Sequence, residues 1–542
     1  MAGAISKLIE GIDWADLYAQ AVLLAGNASS NVLDRIDSVG RITALSSVIA
    51  AYAAWRVGYA LFLSPLRNIP GPFLARLTHM RWQLIAFTGG AAKAADEDYN
   101  RYGDIYVLAP NAVSISNPSD CRTVFGSHAF VKTDFYKSVD ILGVHNIFST
   151  RDPQFNQMRR RQIGPSYTLG YLSRMEPKIV KYGIEALKTK WDQVIDEASK
   201  SGRKAVVNVN QDLLYATFDI TGALAFGREF NALKNNDPKV IEWVASTVHY
   251  FGIITNIPLL LWFPFSLILG NMKANLMSLT SFGNESVVVR KKHLAEGGEK
   301  IEDLLGAFIE AEDSETKNRM SNEHLLAEIV ITLLAGSETS SNTIMWTIHL
   351  LTLYPECLKR ATQEVRSKFA KGHTIAYTEG RAQLQYLEAC LYESMRLKPV
   401  TEGQWPRVVP KGGITLSGHF LPAGTEVNIN TGGVTRNKGS WKDPYLFNPQ
   451  RFIDDEDLKR SVFAFSTGVR ICPGRNLAWI EMITILANLL KDYDISLPQD
   501  AAFGPHILNE HGQPRLMDSK YFIVSTPANA SRDCRLVISK AQ

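Results

Sequence analysis

A single cysteine held between glycines constrains this chain more than any other feature. Residues 465–474 read FSTGVRICPG. Gly468 permits a tight turn before Cys472, and Gly474 leaves space for a close approach after it. Apolar residues at helical spacing follow over 476–490, and Pro473 suits the first position of that helix.

Cys472 is therefore expected where a helix begins. Backbone N–H groups and the helix dipole lower the pKa of a thiol there and stabilise it as the sulfur ligand of a metal. An unpaired cysteine is more often a small buried apolar residue. The flanking glycines, Arg470 and Phe465 favour the ligand instead.

The same ten residues match F-x-x-G-x-R-x-C-x-G at every fixed position. This is the haem-binding signature of the cytochrome P-450 superfamily, and the chain resembles fungal microsomal members most. The resemblance implies that Cys472 is the axial ligand of the iron of haem b, whose electron donation favours O–O cleavage. It also implies that Phe465 and Arg470 contact the cofactor.

Composition is that of a globular protein with a large core: 542 residues, 46% hydrophobic and 21% charged. No Gly/Ser-rich or Pro-rich linker follows residue 72, so one large, mainly helical unit is expected. The net charge of +4 and the lack of a basic run argue against nucleic-acid binding. Five scattered cysteines favour a reducing compartment over a disulfide framework or a zinc site.

Residues 42–63 are apolar apart from Ser, Thr, Tyr and Arg56, and are long enough to span a bilayer. They begin too late for a secretory signal peptide and run into Ser64 and Pro65, so a retained transmembrane helix is predicted. Arg56 leaves a buried helix or a surface-lying helix as alternatives. Before them, residues 1–41 contain a weak amphipathic stretch that is compatible with the membrane interface.

The prolines of residues 64–72 predict a stiff, extended hinge. It resembles the P-G-P hinge of microsomal members, although a plain surface loop would have a similar sequence. Residues 73–542 then form the catalytic domain. Arginines just after the anchor place that domain on the cytosolic side of the membrane. The resemblance implies a single-pass protein of the endoplasmic reticulum.

Apolar residues recur at three- and four-residue spacing over 322–353, which predicts a long helix. Within it, residues 335–339 read AGSET, where a packing notch against another helix is one interpretation. The stretch also matches the family pattern (A/G)-G-x-(D/E)-T. The resemblance implies that the small residues make room for dioxygen and that Glu338 and Thr339 act as the catalytic pair that delivers protons.

Glu393 and Arg396 lie three residues apart on one face of a predicted helix. An exposed pair of this kind carries little information. Downstream, PQRF at 449–452 resembles the P-x-R-F element, whose arginine, here Arg451, completes the family's Glu-Arg-Arg network. If buried, this network is structural and locks the loop ahead of Cys472.

Two further arginines are implied to bind the haem propionates. Arg160, in the basic triplet 159–161, falls at the arginine of the W-x-x-x-R or H-x-x-x-R pattern, although Asn156 replaces the aromatic residue. A solvated basic face is the alternative for this triplet. Arg407 lies where relatives carry another such arginine. Walls of the substrate pocket are expected from residues 133–148, 333–339, 400–405 and 503–509.

Short strands are predicted within 106–116, with a turn at Pro110-Asn111, and at 412–416 and 426–430. The strongly apolar run 250–270 is broken by Pro258 and Pro264, so a second span is not supported. Microsomal relatives dip this region into the membrane, and we favour that interpretation over a buried core segment.

The resemblance implies the mainly α cytochrome P-450 fold with small β-sheets, and a haem-thiolate monooxygenase. Its substrate would be an apolar small molecule, such as an intermediate of fungal secondary metabolism. No flavin motif is evident, so electrons from NADPH would come through cytochrome P-450 reductase, with cytochrome b5 as a second candidate partner. Oxidative rearrangement, desaturation and ring expansion stay open, as does a haem-binding sensor without turnover, against which Glu338 and Thr339 argue.

Overall fold

The N-terminal unit carries one long apolar helix. The computed structural model describes residues 38–236 and 239–541, and the chain divides into two units between Arg67 and Asn68. Helix α1 (Ser38–Gly58) continues through a wider π-helical turn to Leu63. Among the described residues, 43–63 form the one helix long and apolar enough to cross a membrane, which is consistent with an anchor. An amphipathic stretch is predicted within residues 1–41. Residues 1–37 of that segment lie outside the part of the chain that the structure describes.

The second unit is mainly helical, as predicted. Its α-helices before residue 236 are α2 (Phe73–Leu77), α3 (Met80–Phe87), α4 (Ala91–Tyr102), α5 (Pro118–Gly126), α6 (Pro153–Ile163), α7 (Leu169–Leu172), α8 (Glu176–Ile179), α9 (Ala186–Lys200), α10 (Val209–Ala225) and α11 (Ala232–Asn235). Those from residue 239 onward are α12 (Lys239–Ile254), α13 (Gly270–Ala295), α14 (Leu304–Glu310), α15 (Asn322–Leu353), α16 (Pro355–Lys368), α17 (Tyr377–Gln383), α18 (Gln385–Leu397), α19 (Thr431–Thr435), α20 (Arg451–Asp454), α21 (Arg475–Asp492) and α22 (Ala530–Asp533).

The strands form small sheets at the edges of this helical body. They are β1 (Ile105–Ala109), β2 (Ala112–Ile115), β3 (Ala205–Asn208), β4 (Gln404–Val408), β5 (Ile414–Leu416), β6 (His419–Leu421), β7 (Glu426–Asn430), β8 (Tyr493–Ser496), β9 (Ser519–Phe522), β10 (Val524–Pro527) and β11 (Arg535–Lys540). The largest sheet has the order β1-β2-β7-β4, in which β2 and β7 are parallel and the other pairs antiparallel. The three predicted strand regions are thus confirmed.

Helix α15 runs through the core with the bounds that the periodicity predicts. The Ser321 hydroxyl caps it by accepting the N–H of His324. Helix α10 packs closely along its centre, since the Thr217 hydroxyl donates to the carbonyl of Ser337 at 2.7 Å. A Cβ at Gly336 would lie 3.0 Å from the side chain of Thr221. The small residues of AGSET therefore do form a packing notch.

The end of the predicted hinge is fixed to the second unit. The carbonyl of Pro70 accepts the N–H of Val107 in β1 at 2.8 Å. Gly71 follows with a φ of +154°, and a Cβ there would lie 2.8 Å from the nitrogen of Val107. Only glycine permits so close an approach of the two backbones.

The apolar run after α12 is largely exposed. Trp262 and Phe263 have 72% and 81% of their surface accessible, and Leu259, Leu267 and Ile268 are more than half exposed. A buried core segment is therefore the wrong interpretation for most of this run. So large an apolar patch on a protein surface marks a contact with lipid or with another apolar surface.

Candidate active site

One large cavity, of about 320 Å³, lies beside the middle of α15. Six of the predicted site residues line it: Arg160, Thr339, Arg407, Phe465, Arg470 and Cys472. Residues from the segments 133–148, 333–339 and 400–405 line this cavity as expected, but none from 503–509 does. Phe503 instead packs beside His349, and Ile523 and Val524 at the turn between β9 and β10 close the cavity.

Cys472 lines the cavity just ahead of α21. That helix begins at Arg475 after the cap residue Gly474, so the prediction that Pro473 opens it is wrong. The N–H groups of Gly474 and Arg475 nevertheless donate to the Cys472 sulfur. The sulfur is exposed to the cavity, but desolvation by the surrounding protein outweighs these N–H groups and raises the pKa of the thiol, so the net shift is opposite to the one expected from the sequence.

The loop that carries this cysteine is held tightly. The N–H of Cys472 donates to the carbonyl of Phe465 at 2.9 Å, which closes the turn. Gly468 has a φ of +70°, and a Cβ there would lie 2.4 Å from the carbonyl oxygen of Phe125 in α5. No other residue fits at this position without moving α5.

The proton-delivery pair predicted in α15 is split between the cavity and the core. Thr339 lines the cavity, and its hydroxyl donates to the carbonyl of Ala335 at 2.7 Å. Glu338 does not line the cavity and is 5% exposed. Burial raises the pKa of its carboxyl to about 7, so this group can take up or release a proton near neutral pH.

The cavity is strongly cationic on one side. Arg160, Arg407, Arg470 and Lys132, which the sequence did not single out, all line it. In the described part of the chain, none of the four has a carboxylate within ion-pair distance. The Nε of Arg160 is buried without a hydrogen-bond partner. These positive charges without a carboxylate partner suit a bound ligand that carries carboxylates.

The three consecutive arginines of α6 have three different environments. Arg159 is buried and its Nε lies 3.0 Å from a carboxylate oxygen of Glu328, which is also buried. Arg160 faces the cavity and donates to the carbonyl of Ile471, while Arg161 pairs with Asp313. The alternative of a solvated basic face is therefore wrong.

Asn156 turns away from the cavity. It is buried, and its Nδ2 donates to the carbonyl of Ile147 at 3.4 Å. The N–H of Ile147 in turn donates to Glu328 of α15 at 2.9 Å. At the position where the family pattern has Trp or His, this residue thus fastens the loop over the cavity and leaves Arg160 to face the ligand alone.

Glu393, Arg396 and Arg451 form a buried network below the cysteine loop. Both oxygens of Glu393 accept from Arg396, at 2.7 and 2.9 Å, and one also accepts from the Nε of Arg451 at 3.1 Å. Arg396 further donates to the carbonyls of Thr435 and Pro444. The charge of Arg396 is matched by Glu393, and its N–H donors are matched by these acceptors. The network therefore connects α18 with the chain that leads to Cys472.

Two charged residues that line the cavity, Lys132 and Glu481, were not predicted from the sequence. Each is a lone charge next to apolar residues: Lys132 follows Phe130 and Val131, and Glu481 lies in the apolar run of α21. That pattern was the available signal, because a charged group is rarely buried without a partner or a use. Ser340 of α15 makes a hydrogen bond to the carboxyl of Glu481. The Oε1 atom of that carboxyl has no hydrogen-bond partner among the described residues.

Glu481 makes the stability of the protein depend on pH. Burial raises the pKa of its carboxyl from 4.5 to about 8, so the folded chain holds the proton more tightly than the unfolded chain. Its contribution is complete below pH 4.5 and is lost as the pH rises through 8. Between pH 6 and 8 the loss is about 2 to 3 kcal/mol.

Glu481→Gln cannot lose a proton at this position. We therefore expect the variant to lose less stability than the wild type between pH 6 and 8. Thermal unfolding of the wild type and the variant over this pH range measures the difference, with the exposed Glu97→Gln of α4 as the control. Equal slopes for the wild type and Glu481→Gln would contradict the expectation.

Comparisons with known proteins agree with this geometry. The cytochrome P-450 family model matches residues 76–511. Cytochrome P-450 monooxygenase helB1 of Aspergillus fumigatus is 45% identical over 506 residues, which are 93% of this chain and 87% of the relative. Monooxygenase helB2 of the same fungus is 44% identical over 92% of this chain and 98% of its own length. The chain therefore belongs to the cytochrome P-450 family and is a cytochrome P-450 monooxygenase.

Proposed function

We propose that the protein inserts one atom of dioxygen into an apolar small molecule, such as an intermediate of fungal secondary metabolism. The observation that carries this proposal is that the sulfur of Cys472 and the hydroxyl of Thr339 line the same cavity, whose other walls are mainly apolar. Fungal relatives over nearly the whole chain support it. Reducing equivalents come from NADPH through a separate cytochrome P-450 reductase, with cytochrome b5 as an additional donor.

Haem b fits the residues of this cavity. Cys472 would supply the sulfur ligand of the iron, and Phe465 would lie against the cofactor. Arg160, Arg407 and Arg470, which have no carboxylate partners in the part of the chain that the structure describes, would bind the two propionates. When bound, the iron supplies dioxygen activation, while the protein supplies orientation and protons.

The residues of α15 supply those protons. Glu338 exchanges a proton near neutral pH, and the Thr339 hydroxyl, which lines the cavity, would release its bond to the carbonyl of Ala335 in order to donate there. We expect Thr339→Val to lower product formed per NADPH about tenfold or more, because the donor is lost while the shape is kept. Two electrons and two protons then leave with dioxygen as hydrogen peroxide, which a peroxidase assay measures.

Thr347→Val is the matched control for this change. Thr347 lies on the same helix, is buried and donates to a backbone carbonyl in the same way, but it does not line the cavity. Its product yield should equal that of the wild type. If Thr339→Val formed as much product per NADPH as the wild type, Thr339 would not be part of the proton path.

Oxygen uptake tests the proposed activity. Holoenzyme with reductase and NADPH is assayed against a panel of apolar terpenoids, polyketides and alkaloids, and labelled dioxygen is used with any active compound. One labelled oxygen atom in the product establishes insertion. A product without label establishes desaturation or rearrangement instead. Haem-loaded protein that consumes no oxygen with any compound would favour the sensor.

We further propose that the protein is a single-pass protein of the endoplasmic reticulum with its catalytic domain in the cytosol. The span at 43–63 supports the anchor, and the exposed apolar run after α12 supports a second contact with lipid. Carbonate extraction should leave the chain in microsomes, and added protease should digest the catalytic domain of intact microsomes. Protection from protease would contradict this orientation.

A further inference from the structure

Lys132 lies among the apolar and cationic groups of the cavity. It is 7% exposed and lines the cavity, with its Nζ 4.2 Å from the ring centre of Tyr136 and 4.9 Å from that of Phe148. The same nitrogen donates to the carbonyl of Phe148. An ammonium group can donate two more hydrogen bonds, and no further partner is recorded among the described residues.

The backbone fixes this lysine beside an arginine. The N–H of Val408 donates to the carbonyl of Val131 at 2.9 Å, so Lys132 pairs with Arg407 as an added strand residue at the edge of β4. The hydroxyl of Tyr136 accepts from Arg407 at 2.6 Å and so holds the guanidinium in place. Lys132 is therefore part of the rigid wall of the cavity.

The charge balance of the cavity leaves this lysine without an anion. The charges that act on Lys132 belong to three cations, Arg407, Arg470 and Arg160, while Glu481, the acid of the cavity wall, keeps its proton below about pH 8. If the proposed function holds, the two propionates of haem b face these three arginines, so one cationic charge more than needed is present before Lys132 is counted. Burial, joined by these cations, lowers the pKa of Lys132 well below its usual range. A carboxylate beside Lys132 would oppose the effects of burial and of the cations and would raise that pKa.

We propose that Lys132 binds a carboxylate inside the cavity. Two sources share this chemistry: an otherwise apolar acid that enters as substrate, and the carboxylates of the cofactor. The excess of cations favours the substrate, because the arginines already outnumber the propionates. This inference rests on the proposed function and adds that the substrate class includes apolar carboxylic acids.

Lys132→Gln is the main test, since the glutamine amide keeps a donor for the carbonyl of Phe148 but carries no charge. Lys132→Met is a second neutral variant, and Lys132→Arg restores the charge. Lys411→Met removes an exposed lysine outside the cavity and is the control. Each holoenzyme is first checked for the reduced carbon monoxide band of thiolate-bound haem, which tests the proposed function separately.

Spectral titration with hexadecanoic acid and hexadecan-1-ol forms one arm, and transfer of haem to apomyoglobin forms the other. If Lys132 binds a substrate carboxylate, the wild type binds hexadecanoic acid tightly. Both neutral variants then weaken the binding of the acid at least tenfold and change the binding of the alcohol less than twofold. For a cofactor carboxylate, the neutral variants release haem at least tenfold faster. Lys132→Arg should restore whichever property is lost. Neutral variants that match the wild type in both arms, with the carbon monoxide band intact, would overturn the inference and leave the proposed function standing.

Discussion

Cys472→Ser is expected to abolish the strongly red-shifted Soret band of the reduced, carbon monoxide-bound protein. The band requires a thiolate as the axial ligand, and a serine oxygen does not replace its electron donation. The two N–H groups that now face the sulfur stabilise an anionic ligand at this position. The loss should be complete rather than partial, because Cys472 is the one cysteine that lines the cavity within the described residues.

The measurement compares difference spectra of membrane-expressed wild type and variants. Cys357→Ser is the control: this cysteine is half-buried in α16, lies outside the cavity and should leave the band unchanged. A variant at 472 that kept the band would show that another group ligates the iron. Folded wild type without the band would remove the monooxygenase proposal.

Glu393→Gln should destabilise the protein by about 3 to 5 kcal/mol, because it leaves the charges of Arg396 and Arg451 buried without their carboxylate. Glu393 and Arg396 are fully buried and Arg451 is 8% exposed, so water cannot replace the lost partner. Glu393 also accepts the N–H of Asn448 at 2.8 Å. We therefore expect little haem-loaded protein and a much lower unfolding temperature.

Yield of haem-loaded protein and thermal unfolding both measure this effect. Asp457→Asn is the matched control, since Asp457 pairs with Arg460 at 3.3 Å but both side chains are exposed. Loss of such a pair should have no measurable effect. A Glu393→Gln variant that unfolds within about 1 kcal/mol of the wild type would mean that the network contributes little to stability.

Patterns that depend on neighbours along the chain could be predicted. The bounds of α15 and the strands around the turn at 110–111 follow from local periodicity and turn chemistry, and the structure has them where predicted. The role of Gly468 was likewise predictable, because a tight turn before the cysteine requires a backbone conformation that glycine adopts easily.

Contacts between distant segments could not be predicted except where the family resemblance supplied them, as for Glu393 and Arg451. Nothing near Lys132 in the sequence indicates that β4 would place Arg407 beside it, and nothing near Phe503 indicates that Ile523 and Val524 would close the cavity instead. The pKa of the Cys472 thiol is a similar case. Local N–H groups lower it as expected, but burial by the rest of the fold decides the sign of the net shift.

The sequence by itself determined the family and the mainly helical fold, and it predicted Cys472 as the sulfur ligand, because these are encoded in short runs whose chemistry is local. The family resemblance already singled out Arg160 among the three consecutive arginines, but only the tertiary structure decided what its two neighbours meet, because Arg159 pairs with Glu328 of α15 and Arg161 with Asp313. It also decided that Glu338 lies in the core while Thr339 faces the cavity. Helical periodicity places a residue on a face, but the packing of the neighbouring elements determines what that face meets.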